Sequence, residues 1–157
     1  MEIIKFFTFC PNVFGYPKND TVDFNLVSVM MPFLKEFDDV HQTIQNSCEN
    51  VGLNSKRVDN MWDNSVVVQD IFDLICKSSI VIADFSKKNP NVFYEVGIAH
   101  TLGKEVIPIV QNIEDIPFDL GHHRVLKYHD NGEGRVELQK GLESRLKTLK
   151  KKMRVTK

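Results

Sequence analysis

From residue 24 onward the chain alternates apolar runs with segments of helical periodicity, and few folds accommodate that alternation. FNLVSVMM (24–31) reads as a buried strand and stops at Pro32. Over 33–51, Phe33, Phe37, Val40, Ile44 and Cys48 recur at helical spacing, and Gly52 closes the helix. LNSKRVD (53–59) is a weaker, more polar strand, suited to a place near a sheet edge. A second helix is predicted over 66–78, then the strongly apolar strand SIVIADF (79–85) and a third helix over 91–102. EVIPIV (105–110) and RVLKYH (124–129) are further strands, and a last helix runs from about 134 to 150.

Strands that alternate with helices imply a mostly parallel sheet covered on both faces. Right-handed crossovers leave few topologies. The reading is an α/β three-layer sandwich, flavodoxin-like or Rossmann-like, with a mostly parallel five-stranded sheet. Its first and third strands are neighbours at the switch point, and a ligand is expected beyond their carboxyl ends. That crevice would hold Met31, Pro32 and Phe33 after the first strand, with Asp84 and Ser86 after the third. Asp59 and Trp62, in the loop after the second strand, would border it.

Residues 80–104, IVIADFSKKNPNVFYEVGIAHTLGK, carry the sharpest chemical signal. Asn89 is a helix cap and Pro90 suits the first helical position. At about 100° per residue, Val92, Val96, Ile98, Ala99 and Leu102 form one apolar arc. Glu95 falls inside it and Asn91 beside it. A carboxylate on a core-facing stripe is costly unless it is paired, neutralised or turned to a cleft.

Several chemistries lack their signature. There is no G-x-G-x-x-G, no G-x-x-x-x-G-K-[ST] and no G-x-S-x-G. Cys10, Cys48 and Cys76 are far apart, with no C-x-x-C pair, so neither zinc nor a disulfide framework is expected. His122 and His123 are adjacent and point apart without an evident third ligand. No metal and no cofactor is expected. What remains is Asp84 and Glu95, with Ser86, Asn89 and Asn91 around them. Two carboxylates suit cleavage at a sugar anomeric carbon, one as nucleophile or cation stabiliser and the other steering the leaving group. A strand-end aspartate also commonly caps its own loop.

The 157 residues suffice for one domain with a real core, and the chain shows no repeat or linker. A single domain over 1–157 is expected, with 1–20 as an aromatic, turn-rich arm or edge strand and 151–157 as a basic tail. The stretch 145–157 holds seven basic residues and no acidic one, although the whole chain is formally −1. An acidic body argues against a polynucleotide lying across it. The tail reads as a solvated helix end with a frayed terminus. No run is long enough for a membrane span, and the N-terminus lacks the basic start of a signal peptide. A cytoplasmic protein is expected.

The segment VIADFSKKNPNVFYEVGIAHTLGKEVIPIV resembles the core of nucleoside 2-deoxyribosyltransferase-like proteins in Asp84, Glu95-Val96-Gly97 and Gly103-Lys104. VSVMMPF, FDDVHQTI and IPFDL resemble the TIR-like, nucleotide-binding branch of that superfamily. The resemblance spans about 24–128. It implies that Glu95 is the glutamate that attacks the anomeric carbon and that Asp84 is the strand-end aspartate of the site. Asn89 stands where transferases often carry an aspartate for base handling, and an amide cannot act as that acid. Phe93-Tyr94 replaces the Trp-Cys pair usual before the glutamate of NAD-cleaving TIR domains. The implied ligand is a nucleoside, nucleotide or NAD, and the implied activity is N-glycosidic cleavage or transfer. The alternatives are a TIR-like NAD hydrolase and a non-catalytic nucleotide-sensing or assembly module in signalling or defence. Family members are often oligomers that complete the site from a neighbour, so at least a homodimer is expected.

Overall fold

The computed structural model describes residues 12–17, 21–58 and 67–155, without the side chains of 67, 154 and 155. Among the described residues five strands form one sheet: β1 (Asp23–Met30), β2 (Asn54–Lys56), β3 (Ser78–Asp84), β4 (Glu105–Val110) and β5 (Leu126–Lys127). Their order is β2-β1-β3-β4-β5 and every pairing is parallel. The predicted alternation therefore gives a fully parallel sheet with β1 beside β3. The polar strand β2 occupies one edge.

Among the described residues four α-helices cover the sheet: α1 (Asp38–Asn50), α2 (Val67–Lys77), α3 (Pro90–Thr101) and α4 (Gly132–Val155). Side chains alternate across the strands, so each strand feeds two cores. On one face Val27, Val29, Ile80, Ile82, Ile107 and Ile109 pack with Phe37, Val40 and Ile44 beside α4 leucines 138, 142, 146 and 149. On the other, Leu26, Met30, Val81 and Ala83 pack with Leu74 and Ile75 of α2 and Val92, Val96 and Ala99 of α3. The central strand β3 is buried at all seven positions. Cys48 lies in the first core, where burial pushes its thiol up to about 12. Cys76 is half-buried.

Gly52 and Gly103 end α1 and α3 in the left-handed region, at φ 70° each. The last helix is longer than its apolar repeat predicts. It starts earlier because the Asn131 side chain accepts the Gly134 N–H at 2.7 Å. It continues past 150 because its lysines find partners. Lys150 donates to the carbonyls of Val51 and Gly52 at the end of α1, where a cation meets the negative end of the helix dipole. Lys152 pairs with Glu105 at 2.5 Å. This part of the basic stretch is thus docked rather than merely solvated. Most of the aromatic arm, residues 1–11 and 18–20, lies outside the described residues. Among the described residues no helix is long and apolar enough to cross a membrane.

Candidate active site

The site is built where β3 passes through a short loop into α3. The loop opens at Phe85, whose N–H donates to the Ile109 carbonyl, and turns at Ser86–Lys88. Lys87 and Lys88 stand at φ 63° and 52°, left-handed conformations that cost a non-glycine residue about 1–3 kcal/mol each. The turn is held in place. The Lys87 N–H donates to Asp115 at 2.8 Å, and its ammonium pairs with Glu36. Asn89 then caps α3 by accepting the Asn91 N–H at 3.0 Å, and Pro90 follows at the first helical position.

The two acids of this unit have opposite environments. Asp84 is 0 % exposed and well supplied with donors. Tyr128 Oη donates to Oδ2 at 2.6 Å, and the Ser86 N–H donates to Oδ1 at 2.9 Å. Gln111 Nε2 donates to Tyr128 Oη at 3.1 Å, and the Gln111 N–H donates to Ser86 Oγ at 2.9 Å. The ends of β3, β4 and β5 are thereby tied into one polar knot. Burial raises the Asp84 carboxyl above its ordinary range, while the Ser86 and Tyr128 donors pull it back.

Glu95 is 7 % exposed and stands among Val92, Val96 and Ala99 on the sheet-facing side of α3. Among the described residues its carboxylate has neither a hydrogen bond nor an ion pair. Burial alone raises it to about 7. A side chain so placed is half neutral and half anionic near neutral pH, a range useful to a nucleophile or a proton-transfer group.

The remaining predicted residues divide. Phe33 is exposed beyond β1, and the Arg57 guanidinium lies over its ring, 5.2 Å from the centroid. Pro32 is buried, and Met31 is a member of the α1–α4 core. Ser86 is 1 % exposed and committed to the knot. Asn89 spends its side-chain oxygen on the cap, and Asn91 is exposed at the start of α3. Asp59 and Trp62 lie outside the described residues.

Sequence reasoning missed Tyr128, Gln111 and Arg57. The signal available was position. Gln111 and Tyr128 directly follow β4 and β5, and Arg57 directly follows β2, at the carboxyl edge that gathers ligand-site residues in open α/β sheets.

A 2-deoxyribosyltransferase from Leishmania mexicana superposes on this architecture with a TM-score of 0.54 at 16 % identity, over 74 % of this chain and 97 % of that one. The TIR domain of the Toll-related receptor TRR-2 from Hydra magnipapillata superposes with a TM-score of 0.58 at 20 % identity, over 76 % and 96 %. All three chains share one fold. A scan against protein-family models finds no match, and neither does a search of curated proteins. The fold expected from the resemblance is thus the one observed. At these identities the likeness concerns the backbone alone.

Proposed function

We propose that this domain cleaves the N-glycosidic bond of a nucleoside or nucleotide, with Glu95 as nucleophile. One observation carries the reading: a nine-tenths buried carboxylate on α3 that has no hydrogen-bond or ion-pair partner among the described residues, and that burial pushes up to about 7. Such a group is expensive for the fold and suited to chemistry. The likeness to a deoxyribosyltransferase is consistent with it.

In the proposed reaction the ionised Glu95 carboxylate attacks the anomeric carbon as the bond to the base nitrogen breaks. The electron pair leaves with the base, which takes its proton from solvent, since Asn89 cannot supply one. Water, or a second base, then attacks the glycosyl ester and frees Glu95. Asp84 acts at one remove in this scheme: with no exposed surface, it fixes the Ser86 turn and so the start of α3. Phe33 with Arg57, and Asn91, are the groups proposed to meet base, phosphate or sugar.

The likeness to a TIR domain favours a second reading, the same attack on the nicotinamide ribosyl bond of NAD. Chromatography of released base after incubation with deoxynucleosides, their monophosphates and NAD separates the two. Free nucleobase supports the first and free nicotinamide the second. Nucleotide binding without release of base makes the domain a sensing module. Glu95→Gln is expected to lower turnover about 10³-fold or more. The wild-type kcat/KM should rise with pH through about 7. Full turnover in Glu95→Gln removes the assignment whichever base is released.

We extend the proposal to a homodimer acting in the cytoplasm. The exposed Tyr94 and Phe118 are the groups offered to a second copy, and Cys48 and Cys76, free thiols among the described residues, suit a reducing compartment. Light scattering of the purified chain tests the first point.

A further inference from the structure

The adjacent histidines have a setting of their own, at the other edge of the sheet. They precede β5, whereas the polar knot and Glu95 lie toward the strand carboxyl ends. The His123 ring stacks on His100 from the last turn of α3, with centroids 4.9 Å apart, and His122 lies 4.2 Å from His123. The three imidazoles line a cavity of about 320 Å³ together with Arg124, the start of β4 and Arg145 of α4.

The charge of this cavity is one-sided. Among the described residues Arg124 and Arg145 have no ion-pair partner, and both are exposed. Lys104 adds a third cation, held in place by the carbonyls of Cys76 and Ser78 at 2.7 and 2.9 Å. The single acid in the lining, Glu105, is already matched by Lys152. Among the described residues no carboxylate of the lining is left to balance the arginines or protonated imidazoles. The geometry does not suit a metal: stacked rings show each other their faces rather than converging their nitrogens. Among the described residues no group of three or more metal-ligating side chains is arranged to hold one.

We propose that this cavity is a second ligand site, taking a small soluble polyanion of the phosphate or pyrophosphate kind. Two unpaired guanidinium forks are the side chains best matched to such oxygens. The cavity has the volume of a small-ligand pocket. Imidazoles at van der Waals distance repel once charged, and an anion between them and the arginines relieves that repulsion. Binding therefore takes up protons. Burial and the two neighbouring imidazoles keep His100 below its usual range in the free protein, consistent with this coupling. The facing groups are His100 from α3, Lys104 and Glu105 at the start of β4, His122, His123 and Arg124 before β5, and Arg145 from α4, with Lys152 behind Glu105.

The test is a titration of the full chain with sulfate, and separately with pyrophosphate, at constant ionic strength. It follows the histidine ring resonances by NMR at pH 6 and pH 8. Sulfate keeps its charge across that range, so any pH dependence comes from the protein. The expected result is a saturable, concerted shift of His100, His122 and His123, with sulfate about tenfold tighter at pH 6. The double substitution of Arg124→Ala with Arg145→Ala should weaken binding about tenfold or more at both pH values, while Glu95→Gln binds as wild type. Shifts that never saturate overturn the proposal. So does binding that survives loss of both arginines, and so does binding that changes in Glu95→Gln, which would place the anion at the other edge. Since Glu95→Gln is silent here and decisive for base release, either proposal can fail without the other.

Discussion

At the scale of single residues, two carboxylates eleven positions apart have been given opposite environments by their surroundings. The helical wheel located Glu95 correctly on the buried side of α3 because the period of an α-helix is fixed and its neighbours are aliphatic. What the wheel could not see was the Asp84 environment. Its partner Tyr128 is 44 residues away and meets it only when β5 joins the sheet beyond β4. The placement of Met31 was hidden for a related reason. Strand residues alternate faces, and the phase that sends Met31 into the α1–α4 core depends on the register of β1 against β3. The knot makes a specific prediction. Tyr128→Phe removes the donor to Asp84 Oδ2 but keeps the ring, so the buried carboxylate loses a charge-assisted bond. The expected cost is about 1–3 kcal/mol. It should grow with pH, because the hydroxyl favours the ionised form. Urea denaturation at pH 5 and pH 8 measures it, and an equal cost at both would mean that Asp84 keeps one protonation state across that range.

Among elements, the Ser86–Lys88 turn is the least regular piece of the described chain and the one nearest the proposed chemistry. Its end was legible: Asn89 and Pro90 are a cap and a first-turn residue by type, and they take those places. Its conformation was not, since nothing in the string Ser-Lys-Lys announces two left-handed residues. The constraint comes from outside, through Asp115, Glu36 and the Asp84 knot. Lys88 is exposed and contributes its backbone, donating its N–H to the Phe85 carbonyl at 3.2 Å. Lys88→Gly should therefore stabilise the protein, removing about 1–2 kcal/mol of left-handed strain against about 0.5–1 kcal/mol of added chain entropy. Lys88→Val should destabilise it, because a β-branched side chain is least tolerant of this conformation. Thermal melts of the two variants give the comparison. A loss with glycine would show that the strain has been relieved in some other way.

For the whole molecule, the order of the sheet followed from alternation and crossover handedness, both written in the pattern of apolar residues. The docking of α4 was not so written. It rests on Lys150 reaching the end of α1 and Lys152 reaching Glu105, contacts between residues 98 and 47 positions apart. The fold also separates the two proposed sites in space, with unpaired acid toward one edge of the sheet and unpaired base toward the other. The acid edge has a consequence for global stability. Glu95 rises from 4.5 to about 7 on folding, and Asp84 is shifted in the same direction. Between those values the native state holds the proton and the unfolded chain has released it. The stabilisation is complete below about 4.5 and is lost as pH rises through 7, amounting for Glu95 to about 3 kcal/mol. His100, shifted downward, acts in the opposite sense, losing stability as pH falls. The wild-type curve alone therefore mixes the two. The difference between wild type and Glu95→Gln isolates the carboxylate. The variant should gain about 3 kcal/mol on wild type between pH 4.5 and pH 8, measured by chemical denaturation. A difference that does not change with pH would mean that Glu95 is solvated or paired in the native protein, and the case for its chemistry would end there.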